Sequence, residues 1–296
     1  MFHGTITALV TPFRDGHIDE QAFRDHLDRQ IEAGVQGVVP AGTTGEAATL
    51  SFAEHKRLIG ITVDQVAGRV PVIAGTGSNN TAESIELTQS AKSLGADAAL
   101  LISPYYNKPT QEGIYQHYKA VAEAVHLPQI VYNVPGRTNS NILPETVGRL
   151  SQISNIVGIK DATADMEQLN ATIDACDGRI DFISGDDATV LPFMAMGGVG
   201  VISVVANIAP AAMLRLSRAA VAGDWQEARA AQLAMRELNR VMFVQSNPIP
   251  VKAACAMLGW MQRDIRLPLT VLPDDMCDPL HAALVAFGLK PERARP

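Results

Sequence analysis

Ile156-Val157-Gly158-Ile159-Lys160 is a short apolar run that ends on a cation, and similar runs recur along the whole chain. The others fall at 4–10, 37–40, 70–74, 98–103, 129–133, 181–185 and 200–204. Counted from the first, their starts lie 33, 33, 28, 31, 27, 25 and 19 residues apart. Each interval carries amphipathic helix signals. Asp19 opens one with Phe23, Leu27 and Ile31 on one face and Gly34 at its end. Ser51-Phe52-Ala53-Glu54 is a capping box ahead of Leu58, Ile59 and Val63, the stretch 81–94 stops at Gly95, and Pro144 stands early in another helix.

Strands joined by crossover helices run parallel, and parallel strands covered on both faces read as continuous apolar runs, as these do. Eight strand-helix units predict an α/β fold, a (β/α)8 TIM barrel with a C-terminal helical extension. An open doubly wound sheet is the competing architecture, which the count of eight disfavours. The barrel is expected over 1–222. Residues 223–296 form the extension, with helices at 224–246, 250–258 and 279–287. No linker rich in Pro, Gly or Ser frees it, so it is expected to pack on the barrel or a neighbouring subunit.

Composition narrows the function. A chain of 296 residues with 47% hydrophobic and 19% charged residues can bury a large core, which excludes disorder. A net charge of -7 without a basic run argues against nucleic acid as a partner. The N-terminal stretch lacks the basic and long apolar regions of a signal peptide, and no window of about 18 apolar residues exists to span a membrane. A cytoplasmic protein is expected. Cys176, Cys255 and Cys277 are odd in number and widely spaced, so they read as inert thiols, not a disulfide framework or zinc site.

In a barrel of this type, chemistry sits at the C-terminal ends of the strands. Lys160 is the one lysine that terminates an apolar strand; the other six lie in expected helices, loops or the tail. Desolvation there lowers an amine's pKa, and a neutral amine attacks carbonyls, which suggests Schiff-base chemistry. A buried ion pair with Asp161 or Asp187 is the other reading open from position alone. None of the seven histidines falls at a strand end, so the commonest general base is absent. Tyr132 ends the preceding strand and offers a phenol as proton shuttle, or alternatively only an aromatic lid. Ala41-Gly42-Thr43-Thr44-Gly45-Glu46 offers backbone N–H groups and two hydroxyls to a small carboxylate, or is a plain turn with Thr caps. Gly75-Thr76-Gly77 has Asn at position 80, which fails the dinucleotide fingerprint, and Asp186-Asp187 reads as a helix cap.

Four ordered motifs carry a resemblance: the GTTGE turn, Ser103-Pro104-Tyr105-Tyr106-Asn107-Lys108-Pro109, Tyr132-Asn133-Val134-Pro135-Gly136-Arg137-Thr138, and Gly158-Ile159-Lys160. Together, from Phe2 to about Leu272 and including Asn247-Pro248-Ile249-Pro250-Val251-Lys252, the chain resembles the dihydrodipicolinate synthases. These belong to the pyruvate-dependent class I aldolases, with N-acetylneuraminate lyase. The resemblance implies condensation of pyruvate with L-aspartate 4-semialdehyde to 4-hydroxy-tetrahydrodipicolinate, the first committed step of lysine and diaminopimelate biosynthesis, with no metal or organic cofactor. Lys160 matches the imine-forming lysine and Tyr132 the proton-transferring tyrosine. Thr43 and Tyr106 match the rest of the relay, that tyrosine reaching into a neighbouring subunit's site. Thr44 and the Ile202 backbone match the pyruvate site, Arg137 the arginine that receives the semialdehyde carboxylate, and Gly185 lies in the matching SGDD turn. A homotetramer built as a dimer of dimers is implied.

Thr43-Thr44 and Arg137 favour the synthases over the lyases, which tend toward Ser-Thr in the turn and lack that arginine. Asp161 departs from the Glu usual after the lysine. His55, Asn79, Glu83 and Tyr105 match the family's lysine-effector site, whereas Ala47 and Phe52 replace the Ser and His of sensitive members. Weak or absent feedback inhibition by lysine is expected. A class I lyase acting on another 2-oxo acid, or a non-catalytic acid-binding barrel, are the alternatives.

Overall fold

The computed structural model describes residues 2–292. Its eight parallel strands are β1 (Gly4–Ala8), β2 (Gly37–Val39), β3 (Ile73–Gly75), β4 (Ala98–Ile102), β5 (Gln129–Asn133), β6 (Ile156–Asp161), β7 (Asp181–Ser184) and β8 (Gly200–Ser203). Hydrogen-bonded neighbours run β2-β1-β8-β7-β6-β5-β4-β3. The ends of that order meet through a Val38–Val72 bridge and through the Val38 and Gly75 amides, which donate to the carbonyls of Pro71 and Pro40 at 3.0 Å each. The sheet is thus a closed TIM barrel, as the strand count predicts. It leaves no edge for a stray strand to pair with.

Local sequence signals place the helices. Asp19 caps Glu20–Glu32 by accepting from the Ala22 amide, both bonds of the Ser51–Glu54 capping box form ahead of Phe52–Val66, and Gly95 ends Thr81–Leu94 in the left-handed conformation. Two expectations need correction. The stretch 224–246 breaks at Met235 into Trp225–Ala234 and Arg236–Val241, and the final helix begins earlier, at Asp274–Ala286, with Pro279 inside it. A short hairpin, Phe13–Arg14 against His17–Ile18, also follows β1.

Ile6, Val39, Ile73, Leu100, Ile130, Ile183 and Ile202 fill the barrel interior with Tyr132. Helices cover the outside. Val10, Val190 and Val201 of the barrel share one apolar cluster with Leu238, Val251, Cys255 and Leu280 of the C-terminal helices. Burial of that cluster seats the C-terminal helices against the strand ends of their own chain. All three cysteines are free and buried.

Candidate active site

Lys160 and Tyr132 are partners across the β5–β6 ladder, so their side chains leave the sheet on the same face. A register shift between Gln129 and Ile130 produces that match: Gln129 pairs with Ile156, but Ile130 pairs with Gly158. Without it Lys160 would stand opposite Asn133, whose side chain is bonded to Asn141 and Ile142 of the following loop. The Lys160 Nζ sits 4.2 Å from the Tyr132 ring centroid.

Only 6% of Lys160 is exposed. Burial pulls its amine down to about 7; the Asp187 carboxylate opposes that shift and the Arg137 guanidinium adds to it. Burial pushes the Tyr132 phenol up to about 12, with Arg137 and a hydrogen bond to Thr43 acting in the opposite sense. Near neutral pH the amine is therefore partly neutral while the phenol keeps its proton. Among the described residues Lys160 forms no ion pair with Asp161 or Asp187. Asp161 instead accepts from the Thr163 amide and hydroxyl, both at 2.7 Å.

Asp187 is not the helix cap that its position suggests. Its Oδ2 accepts from the amides of Val204 and Val205 at 2.9 and 3.1 Å, across to the loop after β8. Burial raises its carboxyl to about 6, opposed by the Ser203 hydroxyl and those two amides. Gly185 lies beside the lysine stem. A Cβ there would stand 2.9 Å from Lys160 Cε and 2.8 Å from Ala162 Cβ. Ile202, on β8, is buried inside the barrel.

The turn 42–46 is held from several sides. The amides of Gly45, Glu46 and Ala47 close it on the carbonyls of Gly42 and Thr43, which leaves fewer free N–H groups than a full nest. Thr11 donates to the Gly45 carbonyl at 2.7 Å, and Asn247 Nδ2 donates to Thr44 Oγ1 at 2.9 Å. Ala41 (φ 53) and Glu46 (φ 57) are both left-handed, each a conformation that costs a non-glycine residue about 1–2 kcal/mol. Glu46 is fixed there by an ion pair with Lys252 at 2.5 Å, the two side chains 1% and 2% exposed, and by the Arg266 amide at 3.0 Å. Phe13 is flanked by Lys252 Nζ at 4.4 Å and the Arg266 guanidinium at 4.3 Å.

Arg137 is on the short helix Pro135–Thr138, exposed at the barrel mouth. Tyr106 does not join the site within one chain. Its φ is 73, the residue is 88% exposed, and its amide donates to the Thr138 carbonyl at 3.3 Å. Thr7 faces outward to Gln30 at 2.9 Å. Of the residues expected at an effector site, Asn79 donates to the Tyr105 carbonyl at 3.0 Å and Glu83 accepts from Ser78 at 2.9 Å. His55 is buried behind β3 with Nε2 2.6 Å from the Gly75 carbonyl, and burial lowers its pKa. Sequence reasoning named Asp187 as a helix cap or an ion partner of Lys160 and missed its bonds to the loop after β8; it also missed the Asn247–Thr44 contact and the Glu46–Lys252 pair, of which only the motif 247–252 gave a sign.

Comparison with known proteins adds the family. A model of the dihydrodipicolinate synthetase family matches residues 1–287. A 4-hydroxy-tetrahydrodipicolinate synthase of Pelobacter propionicus is 53% identical over 289 residues, covering 98% of this chain and all of that one. A chloride-inhibited dihydrodipicolinate synthase from Acinetobacter baumannii, solved with pyruvate, superposes with a TM-score of 0.96 at 49% identity over 98% of this chain and all of that one. A structure described as the first monomeric dihydrodipicolinate synthase variant gives 0.96 at 40% identity, over 98% of each chain.

Proposed function

This chain belongs to the dihydrodipicolinate synthetase family, and on that premise we propose that Lys160, Tyr132, Thr43 and Tyr106 perform its chemistry while Thr44, Arg137, Ile202 and Gly185 shape its substrate site. It is a class I, Schiff-base lyase of the 4-hydroxy-tetrahydrodipicolinate synthase type, acting in lysine and diaminopimelate biosynthesis. The observation that carries the site is the buried Lys160 amine, 4.2 Å from the Tyr132 ring and, among the described residues, in no ion pair with a carboxylate.

The neutral amine attacks the ketone carbon of pyruvate, and loss of one water gives an iminium. Tyr132, still protonated near neutral pH, supplies a proton to the departing hydroxyl and is recharged through Thr43. The iminium acidifies the adjacent methyl group, whose proton passes to the Tyr132–Thr43 relay, and the resulting enamine carbon attacks the aldehyde of L-aspartate 4-semialdehyde. The substrate's own amine then displaces Lys160 and closes the ring, so one water is lost per product. Covalent attachment divides a difficult C–C bond formation into easier steps without any further group. The Thr44 hydroxyl and the Ile202 backbone receive the pyruvate carboxylate, and Arg137 receives that of the semialdehyde.

The exposure of Tyr106 supports its use in trans, in a tight dimer within a tetramer. A cytoplasmic site accords with the finding that no helix among the described residues is long and apolar enough to cross a membrane. A barrel over 1–222 and an extension over 223–296 remain the proposed division, the two packed through one shared apolar cluster; Met1 and residues 293–296 lie outside the described residues. His55, Asn79, Glu83 and Tyr105 form the candidate effector site. The test is a comparison of substrates: pyruvate with L-aspartate 4-semialdehyde should turn over, and Lys160→Ala should not. Preferential cleavage of a sugar acid would point instead to a lyase.

A further inference from the structure

Asn247 stands 203 residues from Thr44 in sequence, yet its Nδ2 donates to the Thr44 hydroxyl oxygen at 2.9 Å with both residues buried. The contact is built, not incidental. Five residues on, Lys252 closes the buried pair with Glu46, which ends the same turn, and the Arg266 amide takes the second oxygen of that carboxylate. The segment 247–252 is therefore tied to both ends of the stretch Thr44–Glu46.

A hydroxyl has one hydrogen and two acceptor sites. With the Asn247 amide aimed at Thr44 Oγ1, the hydroxyl hydrogen rotates away from that amide. Among the described residues no acceptor takes it. It is left to donate toward whatever the turn binds. An anion needs donors, and a hydroxyl free to turn would present a lone pair part of the time. We propose that Asn247 is a positioning residue: by donating to Thr44 Oγ1 it commits the Thr44 hydroxyl to donate to the pyruvate carboxylate.

This rests on the reading of Thr44 as a pyruvate ligand. The role differs from structural support, because it acts through one hydrogen's direction. In Asn247→Asp the side chain keeps its shape but can only accept when ionised, so the Thr44 hydrogen turns toward it and the oxygen faces the substrate. In Asn247→Ser the donor is withdrawn and the hydroxyl is released.

The experiment measures KM for pyruvate and kcat for Asn247→Asp and Asn247→Ser, each alone and combined with Thr44→Val, with cyanoborohydride trapping of pyruvate on the unaltered chain as reference. The expected result is a rise in KM for pyruvate of about tenfold or more for Asn247→Asp, the cost of misplacing a charge-assisted hydrogen bond, and a smaller rise for Asn247→Ser, with kcat at saturating pyruvate within about twofold. In the Thr44→Val background neither change should raise KM further. If Asn247→Asp fails to fold, the Asn247→Ser cycle is read in the same way. An unchanged KM, or the same rise with and without the Thr44 hydroxyl, overturns the proposal; the latter would mean bulk charge or packing. Failure of the unaltered chain to trap pyruvate would instead bring down the Schiff-base reading itself.

Discussion

Titration of Lys160 offers the most quantitative test of the site's electrostatics. Its amine falls from 10.5 to about 7, with burial as the main cause. At pH 7 that makes about half of the chains neutral and reactive, against roughly one in three thousand at the ordinary value. The rate of imine formation with pyruvate should therefore drop about fivefold from pH 7 to 6 and level off above about pH 8. Cyanoborohydride trapping followed by intact mass, sampled early at each pH, reads this rate. Asp187→Asn removes the charge that holds the amine up, so its inflection should move below that of the unaltered chain. The same shift affects stability. Because the folded amine loses its proton at lower pH than the unfolded one, the unfolded chain binds more protons between pH 7 and 10.5, and stability rises with pH across that window. Below it the full cost, about 5 kcal/mol as an upper bound, is present, and Lys160→Met should relieve part of it and melt at higher temperature at pH 6. A rate that climbs to pH 10 without levelling, or an Asp187→Asn inflection that moves upward, would mean that burial does not lower the amine and that Asp187 does not hold it up.

Gly185→Ala should lower kcat on the order of 10- to 100-fold with only a few degrees lost in thermal melting, because the lysine stem, 2.9 Å from the new Cβ at Cε and 3.1 Å at Cγ, yields more easily than the Ala162 Cβ and carries the amine out of line. Near-normal turnover by that variant would count against it. Lys252→Met strands the Glu46 carboxylate and should cost about 3–5 kcal/mol by denaturant unfolding, most of it regained with Glu46→Leu as a second change; equal loss in both would contradict the ion-pair account. Mixing a Lys160→Ala chain with a Tyr106→Phe chain should restore part of the activity in hybrid dimers. No recovery despite proven subunit exchange would remove Tyr106 from the shared site.

The barrel was legible because its strands are buried on both faces, so each strand is an apolar run that no alternation disguises. Caps were legible for a similar local reason: Asp19, Ser51 and Gly95 act on backbone within a few residues. The two-residue strands at Phe13–Arg14 and His17–Ile18 carry too little pattern to stand out, and nothing in the even run of helix formers around Met235 marks the break there. At the site, Lys160 announced itself as a cation on a strand end. The register shift that sets it beside Tyr132 is a property of the pairing between two strands, invisible in either alone. Asp187 looked like a cap because its neighbours in sequence suggest one, while its partners lie on the loop after β8. Asn247 and Lys252 meet the turn at separations of 203 and 206 residues, beyond the reach of any local signal.

Lys160 as the nucleophile is directly testable. Incubation of the unaltered chain with pyruvate and borohydride, followed by peptide mapping, should place a single reduced pyruvate adduct on Lys160, absent from Lys160→Ala. Attachment at another lysine, or no adduct from a folded chain, would contradict the account.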